Sequence, residues 1–296
     1  MRIPTWLRVP LGAVLFATNT VVHVLPLLLI ALLKALVPVR GVRRVCDTLL
    51  MAIAENWIAI NTAMISKMSR TRFIAEVPPD LKPQGQYLVL SNHQSWVDIP
   101  VLQAVFNKRI PLLRFFLKSQ LFWVPFLGVA WWALDFPFMK RYSRETLARR
   151  PELAGRDVEA TRRACEKFRF IPVSVMSFAE GTRYTAAKHA AQVSPFRYLL
   201  RPRAGGIAFV LGTLGNALQS VLDVTLVYPG GKPTFLDLLA DRVAEVRVHV
   251  RERAIPREFV GVDYRNDVAL RERVQAWVND VWAEKDGRVK RMLGEA

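Results

Sequence analysis

The longest apolar stretch of the sequence, residues 9–33, contains 25 residues without a charged side chain. As a helix it would run about 37 Å, which exceeds the roughly 30 Å thickness of the hydrocarbon core of a bilayer. Asn19, His23 and Pro26 interrupt the stretch near its middle. It therefore predicts either a kinked membrane span or a re-entrant segment, in which His23 serves helix packing.

Basic residues flank this stretch and are more numerous after it than before it, at Arg2, Arg8, Lys34, Arg40, Arg43 and Arg44. Because positive charge stays preferentially on the cytoplasmic side of a membrane, the downstream part of the chain is predicted to be cytoplasmic. A second apolar segment, residues 46–68, carries large side chains at helical spacing and predicts an amphipathic helix. We predict membrane-anchoring helices over residues 1–70 and a second domain over residues 71–296.

Composition narrows the classes of protein that this chain resembles. Its 296 residues carry a formal charge of +17, yet 52% of them are hydrophobic. This apolar content excludes a disordered chain, and together with the charge it favours binding to an anionic membrane surface rather than to nucleic acid. The two cysteines, Cys46 and Cys165, have neither CxxC spacing nor a histidine nearby. Neither a disulfide framework nor a zinc site is therefore predicted.

Beyond residue 70 the pattern predicts alternating strands and helices. Strands are predicted at residues 87–90, 171–178, 224–228 and 245–251, and helices at 97–106, 144–168, 206–221 and 264–292. This alternation is typical of an α/β domain, in which helices flank a sheet.

An aromatic run, residues 121–139, does not fit a soluble domain of this kind. Pro125, Gly128 and Pro137 argue against a straight membrane span, and Asp135 is its single charge. Its three Trp side chains suit the headgroup boundary of a membrane, where an indole is half apolar and half hydrated. The alternative is an ordinary core helix that is rich in aromatic residues.

His93 differs from the other three histidines because it follows a predicted strand, where α/β domains place reactive groups. Asp98 comes five residues later, in a predicted helix, from which its carboxylate can reach the imidazole Nδ1. A carboxylate there would fix the tautomer and leave Nε2 free to accept a proton. Alternatively, Ser91 or Asn92 caps the helix and Asp98 is a surface acid. His189 and His249 are predicted to be solvated.

A second candidate group follows the predicted strand 171–178, in the sequence Ala-Glu-Gly-Thr-Arg at residues 179–183. Gly181 allows the backbone to approach a ligand closely, and Arg183 offers a planar fork that suits phosphate. Glu180 either orients Arg183 or shapes the site. Alternatively, the segment is only a turn with a charge pair. Lys140 and Arg141, a further basic pair, follow the aromatic run, where a lipid phosphate would lie.

These segments resemble the four motif blocks of the glycerolipid acyltransferases, in order and in spacing. Residues 92–98 (NHQSWVD) are similar to the NHxxxxD block, 178–183 (FAEGTR) to FPEGTR, 139–141 to the block that ends in a basic residue, and 224–229 (VTLVYP) to the fourth block. The resemblance covers about residues 70–232 and is strongest to the lysophosphatidate acyltransferase subgroup. Ala179 replaces the usual proline, and the second block lacks its common Gly and Asp-Arg ending.

The resemblance implies an O-acyltransferase that moves a fatty acyl chain from a thioester to the sn-2 hydroxyl of lysophosphatidate. His93 would be the base and Asp98 would orient it, while Glu180, Gly181, Thr182 and Arg183, together with Lys140 and Arg141, would bind substrate. The donor would be acyl-CoA or acyl carrier protein, with no further cofactor. A bacterial inner membrane is implied as the location. The alternative is an enzyme of the same fold that acts on another lysophospholipid or on an amine-bearing lipid.

Overall fold

The computed structural model describes residues 4–139, 149–150, 162, 165–262, 264 and 267–295. Its N-terminal part is a pair of long helices, α1 (Thr5–Leu36) and α2 (Arg40–Met68). The two run antiparallel, since Asn19 contacts Asn61 while Lys34, further along α1, contacts Asp47, nearer the start of α2. Both helices are long and apolar enough to cross a membrane. The apolar stretch thus forms one unbroken helix through Pro26.

Polar side chains join the two helices at the middle of their interface. Asn19 Nδ2 donates to Asn61 Oδ1 at 2.8 Å, and Asn56 Nδ2 lies 2.9 Å from His23 Nε2. His23 Nδ1 lies 2.8 Å from the carbonyl of Asn19, which can only accept, so Nδ1 carries the proton. His23 is therefore a buried helix-packing residue, as predicted.

Helix α1 also contacts the rest of the chain near both of its ends. Arg8 forms an ion pair with Asp241 at 2.7 Å, and Lys34 approaches Asp135 at 3.7 Å. The side of α1 turned away from these contacts exposes large apolar residues, including Leu25, Leu29 and Leu32. A group of exposed large apolar side chains on one helix is typical of a surface that contacts a membrane or another protein.

The second part is a six-stranded sheet in the order β1-β8-β7-β2-β6-β3, with parallel pairing except between β7 and β8. Its strands are β1 (Arg72–Glu76), β2 (Gln86–Ser91), β3 (Leu113–Phe115), β6 (Val173–Phe178), β7 (Ser220–Val227) and β8 (Glu245–Arg253). Two short strands, β4 (Leu117–Lys118) and β5 (Phe138–Met139), pair separately.

Helices cover both faces of the sheet. Besides α1 and α2, the described helices are α3 (Asp98–Phe106), α4 (Leu127–Ala133), α5 (Ala186–Ala191), α6 (Gly205–Leu214), α7 (Phe235–Leu239) and α8 (Val268–Leu293). Leu88 and Leu90 of β2 pack with α6 and α8, whereas Tyr87 and Val89 pack with α3 and α7 on the opposite face. Because both faces are buried, β2 is apolar without alternation. The predicted α/β fold with N-terminal helices is confirmed.

Several predicted boundaries were wrong. The helix predicted over residues 206–221 ends at Leu214, and β7 begins at Ser220 rather than at residue 224. A buried central strand and a buried helix give the same unbroken apolar run, so periodicity could not separate them. His189, predicted to be solvated, is half-buried on the short helix α5, and its Nε2 lies 2.6 Å from the carbonyl of Phe196. The predicted helix 144–168 lies mostly outside the described residues.

The aromatic run forms a 3₁₀ turn (Ser119–Trp123), helix α4 and strand β5 rather than a straight span. Helix α4 buries Gly128, Ala130 and Ala133, while Trp123 is 81% exposed and Trp132 is 54% exposed. A Cβ at Gly128 would lie 1.8 Å from the carbonyl oxygen of Phe122, so only glycine fits there. The exposed indoles favour the headgroup-boundary interpretation over an ordinary core helix.

Candidate active site

The carboxyl ends of β2, β6 and β7 lie side by side, because Ser91 is in register with both Phe178 and Val224. The segments that follow these strands therefore meet at one edge of the sheet, where α/β domains bind ligands. They hold the residues that the sequence singled out, namely His93, Asp98, Glu180, Gly181, Thr182 and Arg183.

Asn92 continues the pairing of β2 with β7 through its side chain. Its Nδ2 donates to the carbonyl of Leu226 at 2.8 Å, and its Oδ1 accepts from the Leu226 N–H at 2.9 Å. The amide thus replaces one step of a parallel ladder and is fully buried. This pairing fixes the backbone immediately before His93.

Asp98 is the first residue of α3 and is fully buried. Its Oδ2 lies 2.8 Å from His93 Nδ1 and accepts the backbone N–H groups of Gln94 at 2.6 Å and Ser95 at 2.9 Å. Its Oδ1 accepts from the hydroxyl of Tyr228 at 2.8 Å. Four donors therefore hold the carboxylate in a single orientation, and Asp98 is not a surface acid.

The imidazole of His93 is fixed on its edge and on one face. Asp98 holds Nδ1, and the ring of Phe178 stacks on the imidazole with centroids 3.9 Å apart and an angle of 13° between planes. Among the described residues, Nε2 has no hydrogen-bond partner. Because an N–H at Nδ1 faces the carboxylate, Nε2 is the nitrogen available to accept a proton.

Glu180 does not orient Arg183. It is buried, and its Oε2 accepts the backbone N–H of His93 at 3.3 Å. The carbonyl of His93 in turn accepts the N–H of Tyr184 at 2.8 Å, so the two loops are joined on both sides of His93. Burial raises the pKa of Glu180 to about 8, against the lowering effect of the His93 N–H. Burial therefore favours the neutral form of Glu180.

The turn at residues 181–184 carries Arg183 and is joined to the His93 carbonyl through the N–H of Tyr184. Gly181 has φ +69°, a conformation that costs other residues about 1–2 kcal/mol. The guanidinium of Arg183 lies over the ring of Trp96 at 4.5 Å from its centroid, and Trp96 is exposed at the mouth of the site. An aromatic face holds Arg183 by a cation–π contact and leaves its N–H groups free for an anion. Lys140 and Arg141 lie outside the described residues.

Comparison with known proteins agrees with this arrangement. A family model described as Acyltransferase matches residues 72–228, a range that includes all of the site residues above. The chain belongs to the acyltransferase family. The resemblance to glycerolipid acyltransferases that the motif blocks indicated is thereby confirmed.

Curated relatives match this acyltransferase over part of their own length. The human 1-acyl-sn-glycerol-3-phosphate acyltransferase gamma is 31% identical over 181 residues, which cover 57% of this chain and 43% of the relative. Lysocardiolipin acyltransferase 1 of Gallus gallus is 23% identical over 251 residues, covering 81% of this chain and 62% of the relative. The chain thus spans less than half the length of the human relative.

A solved structure is similar over nearly the whole acyltransferase chain. The 1-acyl-sn-glycerophosphate (LPA) acyltransferase PlsC from Thermotoga maritima aligns with a TM-score of 0.53 and 17% sequence identity, covering 95% of this chain and 98% of that one. At this identity the likeness is one of fold. It extends to the N-terminal helices as well as to the sheet.

Sequence reasoning missed two residues that hold the site of this acyltransferase together. Tyr228, which binds Asp98 Oδ1, is 130 positions away from it in the sequence, and burial together with the Asp98 charge raises its pKa well above the usual value for tyrosine. Phe178 was noticed only as part of a motif, not as the ring beneath His93. No local spacing rule connects either residue to its partner.

Proposed function

We propose that this acyltransferase moves a fatty acyl group from an acyl thioester to the sn-2 hydroxyl of lysophosphatidate, which gives phosphatidate. The observation that carries the proposal is the arrangement of His93, whose Nδ1 lies 2.8 Å from a buried carboxylate and whose loop is hydrogen-bonded to the turn that carries Arg183. A base and a phosphate-binding group on adjacent loops suit an acceptor that carries both a hydroxyl and a phosphate.

The proposed reaction begins when His93 Nε2 removes the proton of the acceptor hydroxyl as its oxygen attacks the thioester carbonyl. The positive charge that forms on the imidazole is stabilised by Asp98. The tetrahedral intermediate then collapses, the C–S bond breaks, and the thiolate receives the proton from His93. No acyl-enzyme is required, because the described cysteines, Cys46 and Cys165, are both buried and play no part in the site.

The developing negative charge on the carbonyl oxygen needs a hydrogen-bond donor. The N–H of Gly181 is already used, since it donates to the carbonyl of Phe178 at 2.9 Å. Within the described part of the chain, the N–H groups of Thr182 and Arg183 have no acceptor. We propose these two N–H groups as the oxyanion donors.

Arg183 is the proposed ligand of the acceptor phosphate, with Lys140 and Arg141 as further candidates from the motif resemblance. Holding the phosphate would place the hydroxyl within reach of His93 and convert binding energy into orientation. A second candidate acceptor is another lysophospholipid, because the match to lysocardiolipin acyltransferase 1 covers 81% of this chain. Competition between unlabelled lysophospholipids and labelled lysophosphatidate would separate the two.

The apolar helices α1 and α2 indicate membrane association. We propose that the exposed indoles of Trp123 and Trp132 lie in the same interface, so that lipid substrates enter the site from the membrane plane. A bacterial inner membrane with the sheet domain on the cytoplasmic side fits the basic flanks of α1. The reaction needs only the acyl donor, either acyl-CoA or acyl carrier protein, and no other cofactor.

The test is acyl transfer by the purified chain from labelled acyl-CoA, and separately from acyl carrier protein, to lysophosphatidate. His93→Gln should abolish product formation while the protein stays folded, because glutamine keeps a polar side chain but cannot act as the base. His249→Gln, a matched control on β8 outside the site, should retain activity. Equal activity of His93→Gln and the parent would remove His93 from the mechanism.

A further inference from the structure

Three basic side chains besides Arg183 surround the turn at residues 181–184. Lys188 Nζ donates to Thr182 Oγ1 at 2.7 Å and to the carbonyl of Arg183 at 3.0 Å. Lys232 Nζ lies 3.1 Å from the centroid of the Tyr184 ring. These lysines come from α5 and from the loop after β7, so the fold brings separate segments to one turn.

Arg203 is the third of these side chains. A Cβ placed on Gly181 would lie 3.6 Å from Arg203 Cδ and 3.8 Å from its Nε, so the stem of Arg203 passes directly over the turn. The backbone N–H of Arg203 donates to the carbonyl of Ala179 at 2.8 Å, which fixes the segment before α6 to the same turn. We call Lys188, Arg203 and Lys232 the basic rim.

Within the described part of the chain, no carboxylate forms a hydrogen bond or an ion pair with the basic rim. Lys188 is held only by neutral oxygens, and Lys232 only by an aromatic ring. Glu180 is the acid that acts on Lys232, and its burial favours its neutral form. Burial also lowers the pKa of Lys232, against the charge of Glu180. Like charges held together without a partner attract an anion.

The basic rim adds more cationic side chains than one acceptor phosphate requires. Arg183 alone offers a planar fork that can bind a phosphate through two parallel hydrogen bonds. We propose that Lys188, Arg203 and Lys232 form a second anion subsite, which binds a phosphate group other than the one held by Arg183. The role of this subsite in catalysis rests on the proposed function. The second phosphate comes either from the acyl donor or from an acceptor with two phosphates.

The first experiment measures binding without catalysis. Inorganic pyrophosphate is titrated calorimetrically into the full chain in detergent and into the Lys188→Met/Lys232→Met variant. We expect the variant to bind at least about tenfold more weakly, because hydrogen bonds from cations to phosphate are about twice as strong as neutral ones. Higher salt should reduce the difference. Equal affinity of parent and variant would overturn the proposal, whether or not the protein transfers acyl groups.

Two control variants make the binding result specific. Lys82→Met/Lys290→Met removes the same charge at residues that do not contact the turn, and it should bind pyrophosphate like the parent. Lys188→Arg/Lys232→Arg keeps the charge and should retain most of the affinity. A loss of the same size in the Lys82/Lys290 variant would show that net charge, not a subsite, attracts the anion, and the proposal would fail.

Steady-state kinetics with the same chain then identifies the source of the phosphate. If the donor supplies it, the Lys232→Met variant, which leaves the contacts of Lys188 with the turn intact, should raise the KM for oleoyl-CoA severalfold and leave the KM for S-oleoyl-N-acetylcysteamine, which has no phosphate, within twofold. If the acceptor supplies it, the KM for lysocardiolipin should rise and that for lysophosphatidate should not. No change in any KM would overturn the catalytic role. A parent without acyl transfer from any donor would refute the proposed function and leave the binding result to decide the subsite.

Discussion

Replacing Asp98 by asparagine separates the charge of this residue from its geometry. A carboxamide has one oxygen and one NH₂ group, so in principle it can turn either way. Three donors converge on Oδ2, namely His93 Nδ1, Gln94 N and Ser95 N. Two of these are backbone N–H groups that cannot reverse, so the carboxamide oxygen must take this position. Its NH₂ then faces the hydroxyl of Tyr228, which can accept as well as donate.

Asp98→Asn should therefore preserve both the fold and the Nδ1–H tautomer of His93, and it should remove only the negative charge. Opposite charges about 4 Å apart interact by about 4 kcal/mol at an effective dielectric constant of about 20. The dipole of the amide recovers part of this energy. Since about 1.4 kcal/mol corresponds to tenfold in rate, we expect kcat to fall about 100- to 1,000-fold with little change in KM.

The assay compares kcat and thermal unfolding for the parent, Asp98→Asn, Asp98→Ala and His93→Gln. Asp98→Ala leaves the N–H groups of Gln94 and Ser95 buried without an acceptor, at a cost of about 1–3 kcal/mol each, so it should be much less stable than Asp98→Asn. If Asp98→Asn is as inactive as His93→Gln, the carboxamide has turned and the tautomer is lost. If Asp98→Asn loses less than tenfold, the charge of Asp98 does not support catalysis. Either result would refute the reasoning.

Three further predictions concern stability. Burial raises the pKa of Glu180 from 4.5 to about 8, so the folded state binds this proton more tightly than the unfolded state does. The contribution of this proton to the free energy of unfolding is complete below about pH 4.5 and is lost as the pH rises towards 8. Chemical unfolding at several pH values should show this dependence for the parent and not for Glu180→Gln. Lys285→Met leaves a buried carboxylate on β7 without its nearest cation and should cost about 3–5 kcal/mol in the same assay, whereas Arg273→Met on the exposed side of α8 should change stability by less than about 0.5 kcal/mol. Gly181→Ala should cost about 1–2 kcal/mol because of its positive φ, whereas Gly206→Ala, inside α6 with open space around it, should stabilise by up to about 1 kcal/mol; equal effects of the two would contradict the role of backbone conformation.

The charged form of Asp223 depends on Lys285, which is why replacing Lys285 is expected to lower the free energy of unfolding. Burial disfavours the charged form of Asp223, but Lys285 and Arg253 outweigh this effect and lower its pKa to about 2. Lys285 also donates to the carbonyls of Leu90 and Val224, on the two strands that lead into the site. The charged cluster thus ties α8 to β2 and β7 close to His93, which no sequence pattern had indicated.

The sequence was sufficient for those features whose parts are close together along the chain. His93 and Asp98 are five residues apart, and that spacing brings the carboxylate to Nδ1 once a helix begins at Asp98. The long apolar run predicted a long helix, α1, because backbone N–H and C=O groups in an apolar environment must hydrogen-bond to each other. The order of the four motif blocks pointed to the family that the comparisons confirmed.

Only the tertiary structure decided the surroundings of the site. The sequence left two roles open for Glu180, orienting Arg183 or shaping the site. The structure shows a buried side chain that accepts the His93 N–H, and this burial depends on the packing of α8 and β6 rather than on neighbouring residues. Tyr228 reaches Asp98 only because β2 and β7 are adjacent and in register. Lys188 and Lys232 likewise lie at one turn only because the order of the strands brings their segments together. Contacts between residues far apart in sequence depend on how all the strands are ordered, and no short segment contains that information.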